Sequence, residues 1–471
     1  MVYRVSDFSL LARRMKTATF MKIPRRIDMG EQHIRLTSAR WYLSGARLSD
    51  GSLVIMGGGI AGGWTNHDWM NDPTYELFPP KNIHGYNGLQ IPLQFLKDTL
   101  PHNMFPHVIA LSDGDRLFVV ANNMAMIFNW KTNQETRLPN LPNGQRCTYP
   151  LSGTVVLLPL SPENGYASEV LVCGGSHISD ETPDRLSAKT TPTSNQCSRM
   201  VLTKEGIAKG WETEKMPVPR IMHSSILMPD GKVLIVNGAQ TGTAGYGNVP
   251  DQIGQSNADN PALQPSCRPR IFRGCIIPLR AYFLDWSTIE KLTDKVCGSL
   301  LADGSIIIAG SNPNLDVETR KYPTEYRVEI LSPPSVLNKL RPVITAAEET
   351  LHYGHTMRVV VKLPPGTRAG GLSDISVSVM DFGFSTHGVQ MDQRMVMLSS
   401  KVFSRGSVGD LMLIVEAPPN AHVYPPGPSF LCVSVDGEHS VMKKVMVGDG
   451  LSPPVDEGAI ANVLAHKPGS N

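Results

Sequence analysis

The chain has 471 residues, enough for about two or three domains. Its 44 Lys and Arg residues nearly balance 42 Asp and Glu residues, and the formal net charge of +2 gives no electrostatic case for nucleic acid or an anionic membrane surface as a partner. With 42 Gly, 37 Pro and 18% charged residues, the composition favours strands and tight turns over helix bundles or disorder, and no run of about 18 apolar residues predicts a membrane span.

Residues 1–33 form an atypical N-terminal segment. Asp7, Arg13 and Arg14 interrupt its apolar residues, and no small-residue cleavage site follows. The segment is therefore a poor secretory signal, and the sequence leaves export undecided.

One phrase recurs in the next part of the chain. It consists of a short apolar run, an Asp-Gly pair, a β-branched run and then Gly or Asn, which predicts a hairpin of two buried strands. The copies are ARLSDGSLVIMGGG at 46–59, ALSDGDRLFVVANN at 110–123, ILMPDGKVLIVNGA at 226–239 and SLLADGSIIIAGSN at 299–312. A looser copy lies at 155–176, where a longer insertion replaces the Asp-Gly pair.

The spacing of the copies, roughly 50 to 70 residues, is that of a four-stranded propeller blade of Kelch type. Further outer strands are predicted between the hairpins, at 74–80, 125–139, 199–212 and 326–334. The sequence thus predicts an all-β fold with a β-propeller at 34–333. A stack of unrelated hairpins in a sandwich is the alternative.

A second domain is predicted at 334–449. Its strand-like runs, MRVVVKL, DISVSVMDFG, QRMVMLSS, LMLIVEAPP, FLCVSVDG and VMKKVMVG, come at intervals of about 11 to 30 residues, which is typical of a β-sandwich. Residues 450–471, rich in Pro, Gly and Asn, are predicted to be a flexible tail.

Two common classes of catalytic motif find no support. GGGIAGGW at 57–64 follows a strand but has no helical pattern behind it, so turn glycines explain it better than a nucleotide-binding loop does. No serine lies in a Gly-x-Ser-x-Gly context, which leaves no case for a nucleophile elbow.

A set of longer phrases is more specific. They are RWY at 40–42, PTYELFPP at 73–80, YPLSGTVVLLPLS at 149–161, EVLVCGGS at 169–176, MPVPR at 216–220, LIVNGAQTGTAGYG at 234–247, SNADNPAL at 256–263, GSNPN at 310–314, YPTEYRVEILSPP at 322–334 and THGVQMDQRMVML at 386–398. Together they resemble the galactose oxidase and glyoxal oxidase family of copper-radical oxidases, above all its plant and fungal glyoxal oxidases. The resemblance implies a seven-bladed, Kelch-like propeller with a copper site on its axis, followed by an early-set, immunoglobulin-like sandwich.

The resemblance also implies a site. In the family, two tyrosines and two histidines hold copper, the first tyrosine is cross-linked to a cysteine, and an alcohol or aldehyde is oxidised while O2 is reduced to H2O2. Tyr42 in RWY corresponds to the cross-linked catalytic tyrosine, and His387 in THGVQMDQR to the ligand histidine of the second domain. Phenolate and imidazole suit Cu(II). The implied substrate is a small aldehyde.

The other half of this site departs from the family. Counting back from GSNPN puts the second Tyr-His pair at Asp294 and Lys295, and a protonated lysine cannot bind copper. His223 in RIMHSS is a rival for the missing histidine, but it lacks the tyrosine and belongs to the preceding blade, which favours a hairpin residue.

Two segments look replaced. Residues 266–296 diverge between well-matched flanks, which a misread frame or retained intron explains; genuine divergence in an inactive paralogue is the alternative. No cysteine precedes Tyr42 to supply the cross-link, so the start of the chain is interpreted as truncated. An incomplete propeller with unpaired sheet edges is expected to be less stable than its relatives and prone to associate.

These departures shape the functional hypothesis. With two ligands of four and no cross-link, the chain is predicted to be an inactive member of the glyoxal oxidase family, a pseudoenzyme whose copper binding is doubtful. The alternative is a non-catalytic propeller that binds a glycan or a protein partner. Relatives are secreted and carry a paired loop at Cys173 and Cys197, which implies a disulfide if this protein is exported, whereas Cys432 is predicted to lie in the core.

Overall fold

The structure is a computed structural model that describes residues 34–181, 191–244, 270–273, 297–309, 328–338, 340–364, 374–405 and 410–466. Antiparallel strands dominate these residues. Across the same ranges, none of the helices has the length and apolar character needed to cross a membrane.

The described strands up to Leu331 form five sheets, and in each sheet consecutive strands pair antiparallel. The first sheet has β1 (Ser44–Arg47), β2 (Leu53–Met56), β3 (Thr74–Phe78) and β4 (Ile91–Pro92), and the second has β5 (His107–Ala110), β6 (Arg116–Ala121), β7 (Met124–Asn129) and β8 (Gln134–Arg137). The third has β9 (Gly153–Leu157), β10 (Glu169–Gly174), β11 (Gln196–Val201) and β12 (Glu212–Lys215). The last two are β13 (Ser224–Leu227), β14 (Lys232–Val236) and β15 (Arg270–Arg273), then β16 (Cys297–Leu300), β17 (Ile306–Ala309) and β18 (Val328–Leu331). This is the meander of propeller blades, and the first domain is a β-propeller.

The repeated Asp-Gly phrase forms the turn between the first two strands of four sheets. In the first copy, the amide of Leu48 donates to the carbonyl of Ser52 at 2.7 Å. Gly51, Gly231 and Gly304 have φ of 81°, 78° and 90°, a region that favours glycine. The predicted hairpins are confirmed, and the looser copy forms β9 and β10.

The helices are short. They are α1 (Phe95–Asp98), α2 (Lys204–Lys209), α3 (Pro334–Leu337) and α4 (Glu457–Ala465), with 3-10 turns at Pro142–Gly144 and Pro162–Asn164. Helix α2 interrupts the outer strand predicted at 199–212, so that prediction is wrong for its middle. The reason is a helix cap, because the hydroxyl of Thr203 accepts from the amide of Gly206 at 3.1 Å.

The second domain is the predicted β-sandwich. Its strands are β19 (Val343–Ala347), β20 (Thr350–Leu351), β21 (Thr356–Lys362), β22 (Ile375–Asp381), β23 (Phe384–Thr386), β24 (Val389–Met391), β25 (Arg394–Leu398), β26 (Ser400–Arg405), β27 (Asp410–Glu416), β28 (Gly427–Val435), β29 (Glu438–His439) and β30 (Lys443–Val447). One sheet has the order β19-β21-β27-β26, and the other β20-β30-β28-β22-β25 with β29 beside β28. Strands β21 and β27 alternate between exposed and buried residues, so one face of their sheet is in the core.

The flexible tail predicted at 450–471 is wrong for α4. The carboxylate of Asp456 caps this helix by accepting from the amide of Ala459 at 2.9 Å, and Ile460 and Val463 are buried. The amide side chain of Asn462 donates to the carbonyl of Asn87 at 2.8 Å. The helix is therefore ordered because it packs on the loop that joins β3 and β4 of the first sheet, where Val463 lies against Gly88.

Candidate metal centre

Tyr42 lies two residues ahead of β1, the innermost strand of the first sheet. Its φ is 61°, in the left-handed region that non-glycine residues adopt at a cost of about 1–3 kcal/mol. The carbonyl of Tyr42 accepts from the amide of Phe105 at 2.8 Å. The preceding Trp41 exchanges two backbone hydrogen bonds with Gly59, at 2.6 and 2.8 Å. These bonds from neighbouring segments hold Tyr42 in its strained conformation.

A buried ion pair network fixes the segment ahead of Tyr42. The guanidinium of Arg40 is fully buried, 2.9 Å from the carboxylate of Glu76 and 3.2 Å from that of Asp72. It also donates to the carbonyl oxygens of Gly57 and Thr74 at 3.1 and 3.0 Å. Because all three charges are buried and paired, Arg40 ties this segment to β3.

His387 reaches the propeller on a hairpin of the sandwich. Strands β23 and β24 form this hairpin, which lies between β22 and β25 along the chain. Strand β24 contacts β1, β5, β9 and β13, while β23 contacts β16. The hairpin thus meets the first strand of all five described sheets, which places it along the propeller axis. At its tip, His387 has φ of 53°, and its Nδ1 lies 2.7 Å from the hydroxyl of Thr386.

Tyr42 and His387 meet on this axis. Their ring centroids are 4.9 Å apart. Phe105 stacks on Tyr42 at 4.5 Å and lies 4.9 Å from His387. Tyr149 contacts both residues, at 4.7 Å from Tyr42 and 5.9 Å from His387. The structure therefore brings together the two predicted residues, Tyr42 and His387. It adds Tyr149, a second tyrosine that was not predicted from the sequence.

The two phenols are directly linked. Tyr149 is 4% exposed, and its side chain forms a hydrogen bond with that of Tyr42. Burial, together with the neighbouring phenol of Tyr42, raises the pKa of Tyr149 well above its ordinary value. Without a metal, Tyr149 is therefore a neutral phenol at physiological pH.

The donor set suits copper. Phenolate oxygen and imidazole nitrogen are ligands that Cu(II) takes, and here two phenols and one imidazole are in mutual contact. Where side chains are described, three or more His, Cys, Asp or Glu residues nowhere cluster as a metal site would require. A metal site on the axis would therefore depend on its tyrosines.

Of the other sequence candidates, His223 alone falls within the described residues. Asp294, Lys295 and the GSNPN segment fall outside the described residues. His223 is fully buried, and its Nε2 lies 3.0 Å from the hydroxyl of Thr154. Burial, with a smaller effect of Arg220, lowers the pKa of His223 to about 3, so its ring is neutral. No ring contact joins it to Tyr42 or His387 within the described part of the chain.

Four cysteines have described side chains, and two of them are bonded to each other. Cys173 and Cys197 face each other on β10 and β11 and form a disulfide, with Cα atoms 4.1 Å apart. Cys147 and Cys432 are buried thiols, and burial raises the pKa of Cys432 to about 12. Cys432 lies in the sandwich core as predicted.

An aromatic rim accompanies Tyr42. The ring of Trp41 lies 5.1 Å from that of Tyr42, and its buried Nε1 has no hydrogen-bond partner among the described residues. In the loop between β2 and β3, Trp64 donates to the carbonyl of Ala244 at 2.7 Å. Trp69, in the same loop, is 69% exposed and stacks on His67 at 6.5 Å. The rim thus offers a polar donor and an exposed aromatic surface.

A repeated position marks the entry to three inner strands, but Tyr149 does not share it. Tyr42, Phe105 and Met222 each lie two residues ahead of the first strand of a sheet, and all three have φ between 52° and 61°. Tyr149 lies four residues ahead of β9. Tyr149 therefore falls outside this pattern, and the YPLSG phrase alone does not reveal its contacts with Tyr42 and His387.

Comparison with known proteins places these observations in a family. Residues 12–335 match the family described as Glyoxal oxidase N-terminus, and residues 341–447 match the galactose oxidase-like early set domain. The chain is 30% identical over 400 residues to "Aldehyde oxidase GLOX" of Vitis pseudoreticulata, covering 84% of this chain and 69% of that protein. It is also 30% identical over 430 residues to "Aldehyde oxidase GLOX1" of Arabidopsis thaliana, covering 88% of this chain and 64% of that protein.

A solved structure supports the fold. A fungal alcohol oxidase of the AA5 family, in complex with copper, aligns with a TM-score of 0.63 and 15% identity, covering 88% of this chain and 76% of that one. At this identity the likeness concerns the fold alone. The chain spans between 40% and 69% of the length of the curated relatives that it matches.

Proposed function

Since this chain belongs to the glyoxal oxidase family, we propose that it is a copper-binding protein in which Tyr42 and His387 hold the metal. The observation that carries the proposal is the 4.9 Å separation of their rings, although the residues come from two domains. Bound copper would supply the one-electron chemistry with which an oxidase passes electrons from an aldehyde to O2.

The residues around the metal would have distinct tasks. Because Nδ1 of His387 is engaged with Thr386, Nε2 is the nitrogen that would face copper. Phe105 packs against both rings and limits access of water to them. Trp41, whose buried indole N–H lacks a partner in the described residues, could donate to the oxygen of an aldehyde.

Aldehyde oxidation is proposed to be absent from this chain. The full reaction converts an aldehyde, O2 and water into a carboxylic acid and H2O2. The resemblance to the family predicts a second Tyr-His pair at the positions of Asp294 and Lys295. Among the cysteines whose side chains the structure describes, Cys173 and Cys197 are bonded to each other, and Cys147 and Cys432 are buried free thiols. If Tyr42 carries no sulfur cross-link, its one-electron oxidation is expected to be too unfavourable for turnover.

The test is copper loading of the purified chain. We expect one copper per chain by metal analysis and no H2O2 from glyoxal or methylglyoxal. Tyr42→Phe and His387→Ala should each weaken copper binding, whereas Tyr75→Phe, which removes a buried phenol in the first sheet, should leave it unchanged. A wild-type chain that binds no copper overturns the site. Turnover at roughly 1 per second or more overturns the proposed inactivity.

Glycan binding is the second candidate function. It is favoured by the exposed ring of Trp69, which stacks on His67 in the loop between β2 and β3. An exposed aromatic face is apolar enough to pack on the C–H face of a sugar ring. Titration of copper-free protein with oligosaccharides, followed by tryptophan fluorescence, tests this role. Saturable binding that Trp69→Ala abolishes supports it; binding unaffected by that variant, or none, contradicts it.

A further inference from the structure

We propose that Tyr149 is a third donor of the same copper site, with its phenol oxygen binding the metal beside Tyr42 and His387. This inference rests on the proposed function, because it concerns the same metal. It adds to the site a residue from the third sheet that the correspondence with the family had not supplied.

Tyr149 lies ahead of β9, at the entry to the third sheet, and contacts His387. The residues at the entry to the first strands form a ring of linked backbone segments around the hairpin. The amide of Phe105 donates to the carbonyl of Tyr42 at 2.8 Å, and the amide of Tyr149 to that of Met104 at 3.2 Å. Tyr149 is thus held beside Phe105 at the entry to the third sheet, and both Tyr42 and Tyr149 contact His387 at the tip of the hairpin.

The side chains of Tyr42 and Tyr149 are in direct contact. The rings of Tyr42 and Tyr149 meet edge to face at 72°, and their side chains are hydrogen-bonded. Two hydrogen-bonded phenol oxygens are about 2.5–3.0 Å apart. A metal bound to the oxygen of Tyr42 would therefore lie close to the oxygen of Tyr149.

Another buried tyrosine, Tyr75, has a different hydrogen-bond partner. Tyr75 is fully buried in the first sheet, and its hydroxyl donates to the side chain of Asn133 at 3.0 Å. A buried tyrosine of the core usually has such a polar partner for its hydroxyl group. The phenol of Tyr149 is instead satisfied by the phenol of a proposed metal ligand. A site with two tyrosines thus exists in the described residues, without the segment around Asp294.

Copper titration of matched variants tests the inference. The wild type, Tyr149→Phe, Tyr149→His and the control Tyr75→Phe are each titrated with Cu(II) against a competing chelator, and their thermal melts and Cu(II) EPR spectra are recorded. We expect Tyr149→Phe to weaken copper binding about 10- to 100-fold and to alter the EPR spectrum. Tyr149→His, which restores a donor, should recover most of the affinity. The Tyr75→Phe protein should match the wild type in both copper measurements.

The outcomes distinguish three roles for Tyr149: a copper ligand, a core residue and a residue that positions Tyr42. If Tyr149→Phe has the wild-type affinity and EPR spectrum, Tyr149 is a core residue and the inference fails while the proposed function stands. If the affinity falls but Tyr149→His does not recover it, Tyr149 positions Tyr42 without binding copper, and the inference also fails. A wild type that binds no copper overturns the proposed function and this inference together.

One measurement avoids the risk that a variant fails to fold. The wild-type chain is prepared with ring-deuterated tyrosine, and deuteron couplings to Cu(II) are measured by electron-nuclear double resonance. Couplings from two tyrosine rings support the inference. Couplings from a single ring in the folded wild-type protein overturn it.

Discussion

Tyr42 and His387 both have left-handed backbone conformations, with φ of 61° and 53°, and their rings lie 4.9 Å apart. Strain of this kind persists only where the surrounding structure enforces it, and it is frequent at functional sites. Here the enforcing contacts come from the ring of strand entries and from the hairpin on the propeller axis. Tyr42 and His387 are therefore both strained in their backbones, and both lie on the propeller axis.

The first prediction separates function from stability at His387. Glycine adopts positive φ without strain, so His387→Gly should change the free energy of unfolding by no more than about 1 kcal/mol while copper binding is lost. His84→Gly is the matched control, because His84 is an exposed histidine with φ of 54°. The control should bind copper as the wild type does. Retained copper binding in His387→Gly contradicts the prediction.

The second prediction concerns Arg40. Its removal leaves the carboxylates of Asp72 and Glu76 buried without their cation. Arg40→Met should therefore lower the free energy of unfolding by about 3–5 kcal/mol, measured by urea denaturation. The control Arg137→Met breaks a half-exposed pair with Asp98 and should cost at most about 1 kcal/mol. Equal losses in the two variants would count against the buried network.

The third prediction is a loss of stability in acid. Burial lowers the pKa of His223 to about 3 and that of His107 to about 4, both below the ordinary 6.5. The unfolded chain then binds more protons than the folded chain, so stability is full above pH 6.5 and falls as the pH drops towards these values. Each histidine contributes a slope of about 1.4 kcal/mol per pH unit.

Urea unfolding at a series of pH values checks this slope. His223→Gln keeps a hydrogen-bonding side chain for Thr154 but cannot titrate, so the slope should fall by one histidine's share. His84→Gln, at an exposed position, serves as the control and should keep the wild-type slope. An unchanged slope in His223→Gln would show that His223 is protonated in the folded protein.

Much of the fold could be predicted because its signals are local. Each Asp-Gly pair specifies a turn whose glycine has positive φ, as at Gly51 and Gly304, and the flanking β-branched runs specify the paired strands. Helix α4 was missed because only its contact with the first sheet orders it. Its capping residue, Asp456, was visible in the sequence, but the Pro- and Gly-rich surroundings outweighed it.

The site could be predicted only in part. Tyr42 and His387 lie in phrases that resemble a known family, whereas Tyr149 is defined by contacts between sheets. No local pattern encodes such contacts, because they arise when the sheets pack around the hairpin. The Tyr-His positions at Asp294 and Lys295 lie outside the described residues, so that expectation stays a prediction.

The fourth prediction concerns the disulfide. Cys173 and Cys197 close a loop with a sequence separation of 24 residues. The loss of loop entropy in the unfolded chain predicts a stabilisation of about 3.5 kcal/mol. The double variant Cys173→Ala with Cys197→Ala should lose about this much in urea unfolding. Reducing agent should destabilise the wild type but leave the double variant unaffected; equal stability of the two proteins without reductant contradicts the prediction.

The fifth prediction concerns the anchorage of the hairpin that carries His387. Arg47 in β1 contacts both ends of this hairpin, because its guanidinium lies 2.5 Å from the carboxylate of Asp381 and its amide donates to Asp392 at 2.7 Å. Tyr42 lies two residues ahead of β1, and Arg47 is the last residue of this strand. Arg47→Met should therefore release the hairpin relative to Tyr42 and weaken copper binding about 10-fold, although Arg47 is not a ligand.

A matched arginine separates this effect from a general loss of stability. Arg199 also pairs with two carboxylates, those of Glu169 and Glu212, but on the outer strands of the third sheet. Arg199→Met should lower the melting temperature and keep the wild-type copper affinity, because β9 is the strand of this sheet that packs against the hairpin. If the two variants bind copper equally well, the hairpin is positioned by its packing against the inner strands, and the clamp of Arg47 has no role in the site.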